Sequence, residues 1–151
     1  MHKYKEVECI MEDFIVISNI FSTPEWDQII KTIIDISSKF EIVYPNVEYD
    51  ADNPLLAGKL DFEKVPNISV SPWPNMECSS VYRGVLDDSS KSLILQYALN
   101  ESDPLWNFSL YKDNVHVLNV QDFNVCLIEP DPELITLLKN NNIDLLRLSD
   151  W

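Results

Sequence analysis

The side chains that most readily do chemistry are few in this chain and far apart. The two histidines are His2 and His116, and the three cysteines are Cys9, Cys78 and Cys126. A nucleophilic cysteine needs a base beside it, and none of the three belongs to a recognised cysteine–histidine signature. The G-x-S-x-G turn that exposes a hydrolase serine is absent. An odd cysteine count without a C-x-x-C pair argues against a disulfide framework and a zinc ribbon, and suits free thiols in a reducing compartment. Two glycines, Gly58 and Gly84, cannot build a phosphate-cradling loop. His116 lies within VHVLN and reads as an exposed strand residue. A metal site there would need Asp113, Asp122 or a cysteine to converge on it, at spacings that match no known ligand pattern. The sequence therefore assigns no catalytic residue, cofactor or metal.

Carboxylates are the exception to this scarcity. The 151 residues carry 25 acids against 11 bases, a formal charge of −14 and a pI near 4.3. Such abundance makes close acid pairs inevitable, so a pair is weak evidence for glycoside-type hydrolysis. Asp61 and Glu63, in LDFEKV, fall on one face of what reads as a half-exposed strand, where a solvated edge explains them. A small carboxylate-based hydrolase remains the alternative function, as does a cytosolic adaptor or structural subunit. The net charge repels nucleic acid and anionic membranes and favours either basic partners or plain solubility. It is spread evenly, with 13 acids and 6 bases in residues 1–75 and 12 and 5 in residues 76–151. Among the chain's local gaps in basic residues, two are rich in acids. One, between Lys39 and Lys59, holds Glu41, Glu48, Asp50 and Asp52; the other, between Lys112 and Lys139, holds Asp113, Asp122, Glu129, Asp131 and Glu133.

The elements that must position these groups are organised around FSTPEWDQIIKTIIDISSKF, residues 21–40. Ser22 and Glu25 have the spacing of a capping box, Phe21 and Trp26 that of a hydrophobic staple, and Pro24 is tolerated in a first turn. Trp26, Ile29, Ile30, Ile33 and Ile34 then form one apolar stripe, which predicts a helix lying across a sheet.

Before that helix, residues 7–20 read as one or two strands; after it, Phe40–Tyr44 reads as a short one. Residues 45–59 form a loop rich in Pro, Asn and Asp. The prolines of PNISVSPWPN confine residues 66–75 to an edge strand or extended loop. Ser79–Leu86 reads as a strand in which Gly84 marks a bulge or a close approach. Asp87, Asp88 and Ser89 are cap-type residues for a second helix. WNFSLYK, VHVLNVQ and FNVCLIE are three strands, the first two joined at Asp113–Asn114. Asp131 and Pro132 open a last short helix, and IDLLRL reads as a closing strand. The implied architecture is a single α+β domain over residues 1–151, a mostly antiparallel sheet with two to three packed helices.

No stretch reaches membrane-spanning length, and the first residues lack the long apolar run of a secretory signal. Both features point to a cytoplasmic protein. Of the four tryptophans, Trp26 and Trp106 fall on apolar stripes and read as core; Trp73, in SPWPN, and Trp151 read as interface anchors. The candidate partner-binding residues are Glu48, Asp50 and Asp52 in the first loop, Trp73, and the pair Asp87 and Asp88, since loops on a rigid scaffold carry binding residues.

In size, acidity, capped helix and the aromatic hairpin LWNFSLYKDNVHVLNVQDFNVCL, the whole chain resembles the immunity proteins of bacterial polymorphic-toxin and contact-dependent growth inhibition systems. The resemblance implies a protein that binds and neutralises a cognate toxin domain, often a basic nuclease, without catalysis, nucleic acid or membrane. It assigns no role to any single residue.

Overall fold

The computed structural model describes residues 14–149. The first helix is α1, Trp26–Ile36, and its stripe is buried as the period requires: Trp26, Ile29, Ile30, Ile33 and Ile34 are all under 5% exposed. The expected capping box does not form. Ser22 belongs to a separate 3-10 turn, Ile20–Ser22, which Asn19 caps by accepting from the Phe21 N–H. Glu25 takes the cap position in helical backbone geometry with no side-chain cap bond. Asn19 is a strong cap, and the 3-10 turn it opens takes in Ser22, so Ser22 is not the residue preceding the helix. At the other end Ser37 leaves the helix in extended geometry, its hydroxyl donating to the Ile33 carbonyl at 2.7 Å, so Phe40 lies in the following strand.

Among the described residues seven strands form one antiparallel sheet. They are β1 (Ile15–Ile17), β2 (Lys39–Pro45), β3 (Ser69–Pro72), β4 (Ser79–Val85), β5 (Phe108–Lys112), β6 (Val115–Gln121) and β7 (Val125–Ile128), in the spatial order β1-β7-β6-β5-β2-β4-β3. β3 is an edge strand, as its flanking prolines demand. The strand expected over residues 7–20 is found as Ile15–Ile17; its earlier part lies outside the described residues.

Two segments expected as strands are helical. Of residues 60–65, 60–63 fall in α2, Lys59–Glu63; of residues 143–148, the last four form α5, Leu145–Leu148. In the first, Leu60 is exposed and Phe62 fully buried, while Val65 packs against the core: a three-residue period, not an alternation. Gly58 starts that turn at φ +81°, a left-handed conformation that favours glycine. In the second, Asp144 caps by accepting from the Leu146 N–H at 3.2 Å.

The remaining helices match expectation. α3 is Asp88–Ala98, closed by a reciprocal capping box between Asp87 and Ser90. α4 is Pro132–Lys139, capped by Asp131, which accepts from the Leu134 N–H at 3.0 Å. α1 packs against α3, α4 and β5, so the long helices share one face of the sheet. The core between them contains Phe40, Ile42 and Tyr44 of β2, Phe108 and Leu110 of β5, and Leu118 and Val120 of β6. The fold is α+β.

Gly84 is a close approach. A Cβ there would meet the Phe40 ring at 2.5 Å, and the β2–β4 register runs through it without a shift, so it is not a bulge. Gly84→Ala is expected to destabilise by about 1–3 kcal/mol, because the buried Phe40 ring cannot yield. Ile30→Ala or Ile33→Ala should cost about 2–5 kcal/mol through lost burial and a residual cavity. Lys31→Ala removes only an exposed pair with Asp27 and should change stability by less than about 0.5 kcal/mol. Thermal melts check all three; Lys31→Ala as the most damaging would show that the helix is placed in the wrong phase.

Candidate functional site

The two faces of β2 have different fates. Successive side chains alternate, so Phe40, Ile42 and Tyr44 point under the helices while Lys39, Glu41 and Val43 point to the uncovered side. The register carries this side across the sheet through Glu41 opposite Arg83 of β4, Glu41 opposite Ser109 of β5, and Ser109 opposite Asn119 of β6. The segment after β3 folds over the same side and brings Trp73 and Asn75 to it. The result is a cleft of about 540 Å³ whose lining includes Trp73, Asn107, Asn119, Gln121, Arg83 and His116. A second hollow of about 390 Å³ adjoins it, and Glu41, Arg83 and Tyr111 are common to both.

Those three side chains form one network. Glu41 accepts the Arg83 Nε–H on one oxygen and the Tyr111 hydroxyl at 2.6 Å on the other, while Arg83 Nη1 donates to the Ser71 hydroxyl at 2.5 Å. The ion pair is partly solvated, so it orders the surface more than it stabilises the fold. Burial, and then the hydrogen bond to Glu41, push the Tyr111 phenol well above its ordinary pKa, so it acts as a donor at neutral pH.

His116 reaches this face through a bulge. Strict alternation in VHVLNVQ puts it beneath the sheet with Leu118 and Val120. The pairing instead shifts between Leu110 opposite Leu118 and Tyr111 opposite His116, leaving Val117 as the extra residue. The imidazole is half-buried, with its ring 5.0 Å from that of Tyr111, rather than exposed as its sequence context suggested. Burial lowers its pKa, opposed by the carboxylates of Glu129 and Glu41.

The expected contact residues divide between two ends of the sheet. Glu48, Asp50 and Asp52 are exposed in the loop after β2, where the Asp50 carboxylate also accepts from the Asp52 N–H at 2.9 Å. Trp73 stands at this same end: its N–H donates to the Ser79 carbonyl and the Asn46 N–H to the Cys78 carbonyl. Asp87 and Asp88 follow β4 at the other end, since Lys39 pairs with Val85 and Pro45 with Ser79. Six residues of strand separate the ends, roughly 20 Å at about 3.3 Å per residue. Asp87 is also committed to its helix. Hydrogen bonds from Ser90 hold its carboxyl below the usual range, so only Asp88 of that pair has no capping duty.

Trp106 is half-buried rather than core, meeting Trp73 edge-to-face at 6.4 Å. Asp61 and Glu63 are not neighbours on a strand. Asp61 accepts from the Tyr97 hydroxyl at 2.5 Å, and Glu63 meets Lys59 at 3.3 Å and the Tyr82 hydroxyl at 3.4 Å. Trp151, His2 and Cys9 lie outside the described residues. Among the described residues no group of three or more His, Cys, Asp or Glu side chains is placed to hold a metal ion, and no helix is long and apolar enough to cross a membrane.

Glu41, Arg83, Tyr111, Asn107, Asn119 and Gln121 are not recognisable as a group from the sequence. Their trace is the run of polar residues at alternate positions in β5 and β6, which identifies a wet face but not that a loop turns it into a cleft. No protein-family model, curated protein or solved structure matches the chain.

An NMR titration of the His116 imidazole should give a midpoint below the ordinary 6.5. Glu41→Gln should lower it further by removing a charge that favours the protonated ring. Because the folded pKa is depressed, this group's contribution to stability is present above 6.5 and is lost as pH falls through the folded value. His116→Asn should remove that part of the slope in pH-dependent melts. A midpoint at or above 6.5 contradicts the burial described here.

Proposed function

We propose that this protein is an immunity protein that neutralises a basic toxin domain by binding it, without catalysis. The supporting observation is the juxtaposition at one end of the uncovered face. The loop bearing Glu48, Asp50 and Asp52 adjoins the loop bearing Trp73, joined by the Asn46–Cys78 backbone bond at 2.7 Å. Val47 and Tyr49 in the same loop are 49% and 40% exposed, so apolar area lies among the acids. A toxin that handles nucleic acid presents Lys and Arg for phosphates, and these carboxylates meet that chemistry while Trp73 and Tyr49 supply dry contact.

The net charge of −14 draws such a partner in from a distance. Asp88, at the far end of β2 and β4, is a separate contact and belongs to the rim of any surface centred on Trp73. The hydrolase alternative gains no support from Asp61 and Glu63, whose carboxylates serve different neighbours.

The test is co-expression with a basic toxin domain encoded beside this gene, followed by co-purification and assay of the toxin. The expected outcome is a stable complex with toxin activity abolished, and association that slows steeply with rising salt while dissociation changes little. Charge reversal at Glu48 and Asp50 should weaken binding by about 1–3 kcal/mol, and reversal at Asp88 by less. A partner that is acidic or neutral, bound equally at low and high salt, would sink the phosphate-mimic mechanism.

A further inference from the structure

The charged side chains lining the cleft on the uncovered face, Glu41 and Arg83, are paired with each other. The cleft's volume of about 540 Å³ lies within the roughly 300–1,000 Å³ of small-molecule sites. Its fixed charges cancel, since Arg83 is held by Glu41. A charged ligand would have to compete with that pair, and the protein's field opposes phosphates in particular.

One wall is aromatic and held in place. Trp73 sits between Pro72 and Pro74, its backbone N–H donates to the Ser79 carbonyl at 2.9 Å, and its ring meets that of Trp106 edge-to-face. The floor is amide. Asn119 Nδ2 donates to Asn107 Oδ1 at 3.2 Å and lies 3.0 Å from the Ser109 hydroxyl oxygen and 3.1 Å from the Phe108 carbonyl. That network fixes both amides. Among the described residues, no hydrogen bond engages Asn107 Nδ2, Asn119 Oδ1 or the Gln121 side-chain amide. The cleft thus offers an aromatic surface beside closely spaced donors and acceptors with no net charge.

We propose that this cleft binds an uncharged saccharide, with one sugar ring seated against Trp73 and its hydroxyls read by Asn107, Asn119 and Gln121. A pyranose has an apolar side of C–H groups for an indole, and each of its hydroxyls both donates and accepts, as this floor requires. The ordering cost on the protein side is reduced because Trp73 and the Asn107 and Asn119 amides are already held. The inference goes beyond the toxin-binding reading and does not depend on it. Trp73 is shared, so sugar and partner compete there.

The experiment is saturation-transfer NMR with cellobiose, maltose and N,N′-diacetylchitobiose as probes, and adenosine as an uncharged ligand of another class. The expected result is saturable transfer from at least one disaccharide. Trp73→Ala should weaken it about tenfold by removing the aromatic contact. Gln121→Ala, at a half-buried position on the wet face, should weaken it about three- to tenfold through one lost hydrogen bond. Lys64→Ala, away from the cleft, should leave it unchanged. The proposal is overturned if none of the three disaccharides gives saturable transfer, if adenosine binds in preference to all of them, or if binding persists in a folded Trp73→Ala protein. If Trp73→Ala does not fold, undiminished binding by Gln121→Ala overturns it instead. Toxin neutralisation is measured without sugar, so failure of one reading leaves the other standing.

Discussion

Everything in this molecule depends on the period-two alternation of β2 at the centre of a sheet whose long helices all lie on one side. The same seven residues bury Phe40, Ile42 and Tyr44 beneath α1 and present Lys39, Glu41 and Val43 above. β2 pairs with β4 along its whole length and with β5 over residues 39–42, so a one-residue slip would exchange its core and surface residues and break register with both neighbours. Buried contacts on the lower face therefore hold the upper face in place. At Gly84 the fit allows no side chain, because the Phe40 ring occupies the space it would need. Tyr44 extends the constraint to the acid-bearing end: its hydroxyl donates to the Ala57 carbonyl at 2.7 Å and ties down the loop that leaves β2.

That division makes different demands on the two surfaces. The lower face needs only volume and apolarity, supplied by isoleucines at helical spacing. The upper face must satisfy polar groups without closing over them. It does so by pairing Glu41 with Arg83 and Tyr111 and by linking Asn119 to its neighbours, so unpaired acids are displaced to the loops at the sheet's ends. Charge for attracting a partner and neutrality for seating a ligand can then coexist on one side of a small domain.

Where local chemistry decides the backbone, the sequence was readable. The apolar stripe of α1, the caps at Asp87 and Asp131, the turn at Asp113–Asn114 and the proline-bounded edge strand all follow from adjacent residues. Misreadings arose where two local signals compete or where the deciding partner is distant. Ser22 is drawn into the short turn that Asn19 caps, so it never reaches the cap position of α1. LDFEKV alternates on paper, yet Gly58 and Pro66 bracket a single helical turn. The cleft lay further out of reach. His116 arrives on the upper face only because Val117 bulges, and a bulge has no sequence marker here. Glu41, Arg83 and Tyr111 come from three strands separated by 42 and 28 residues of chain, brought together by strand order alone.

If the uncovered sheet face and its acid-bearing end bind the partner, the helix-covered side is scaffold. Side-chain footprinting by hydroxyl radicals, with and without the toxin domain, distinguishes the two sides. Trp73, Tyr49 and the exposed Met76 should be protected on complex formation, with the exposed Leu137 and Leu146 of α4 and α5 labelled as in the free protein. Protection of Leu137 and Leu146, with Trp73 and Tyr49 unchanged, would contradict that assignment.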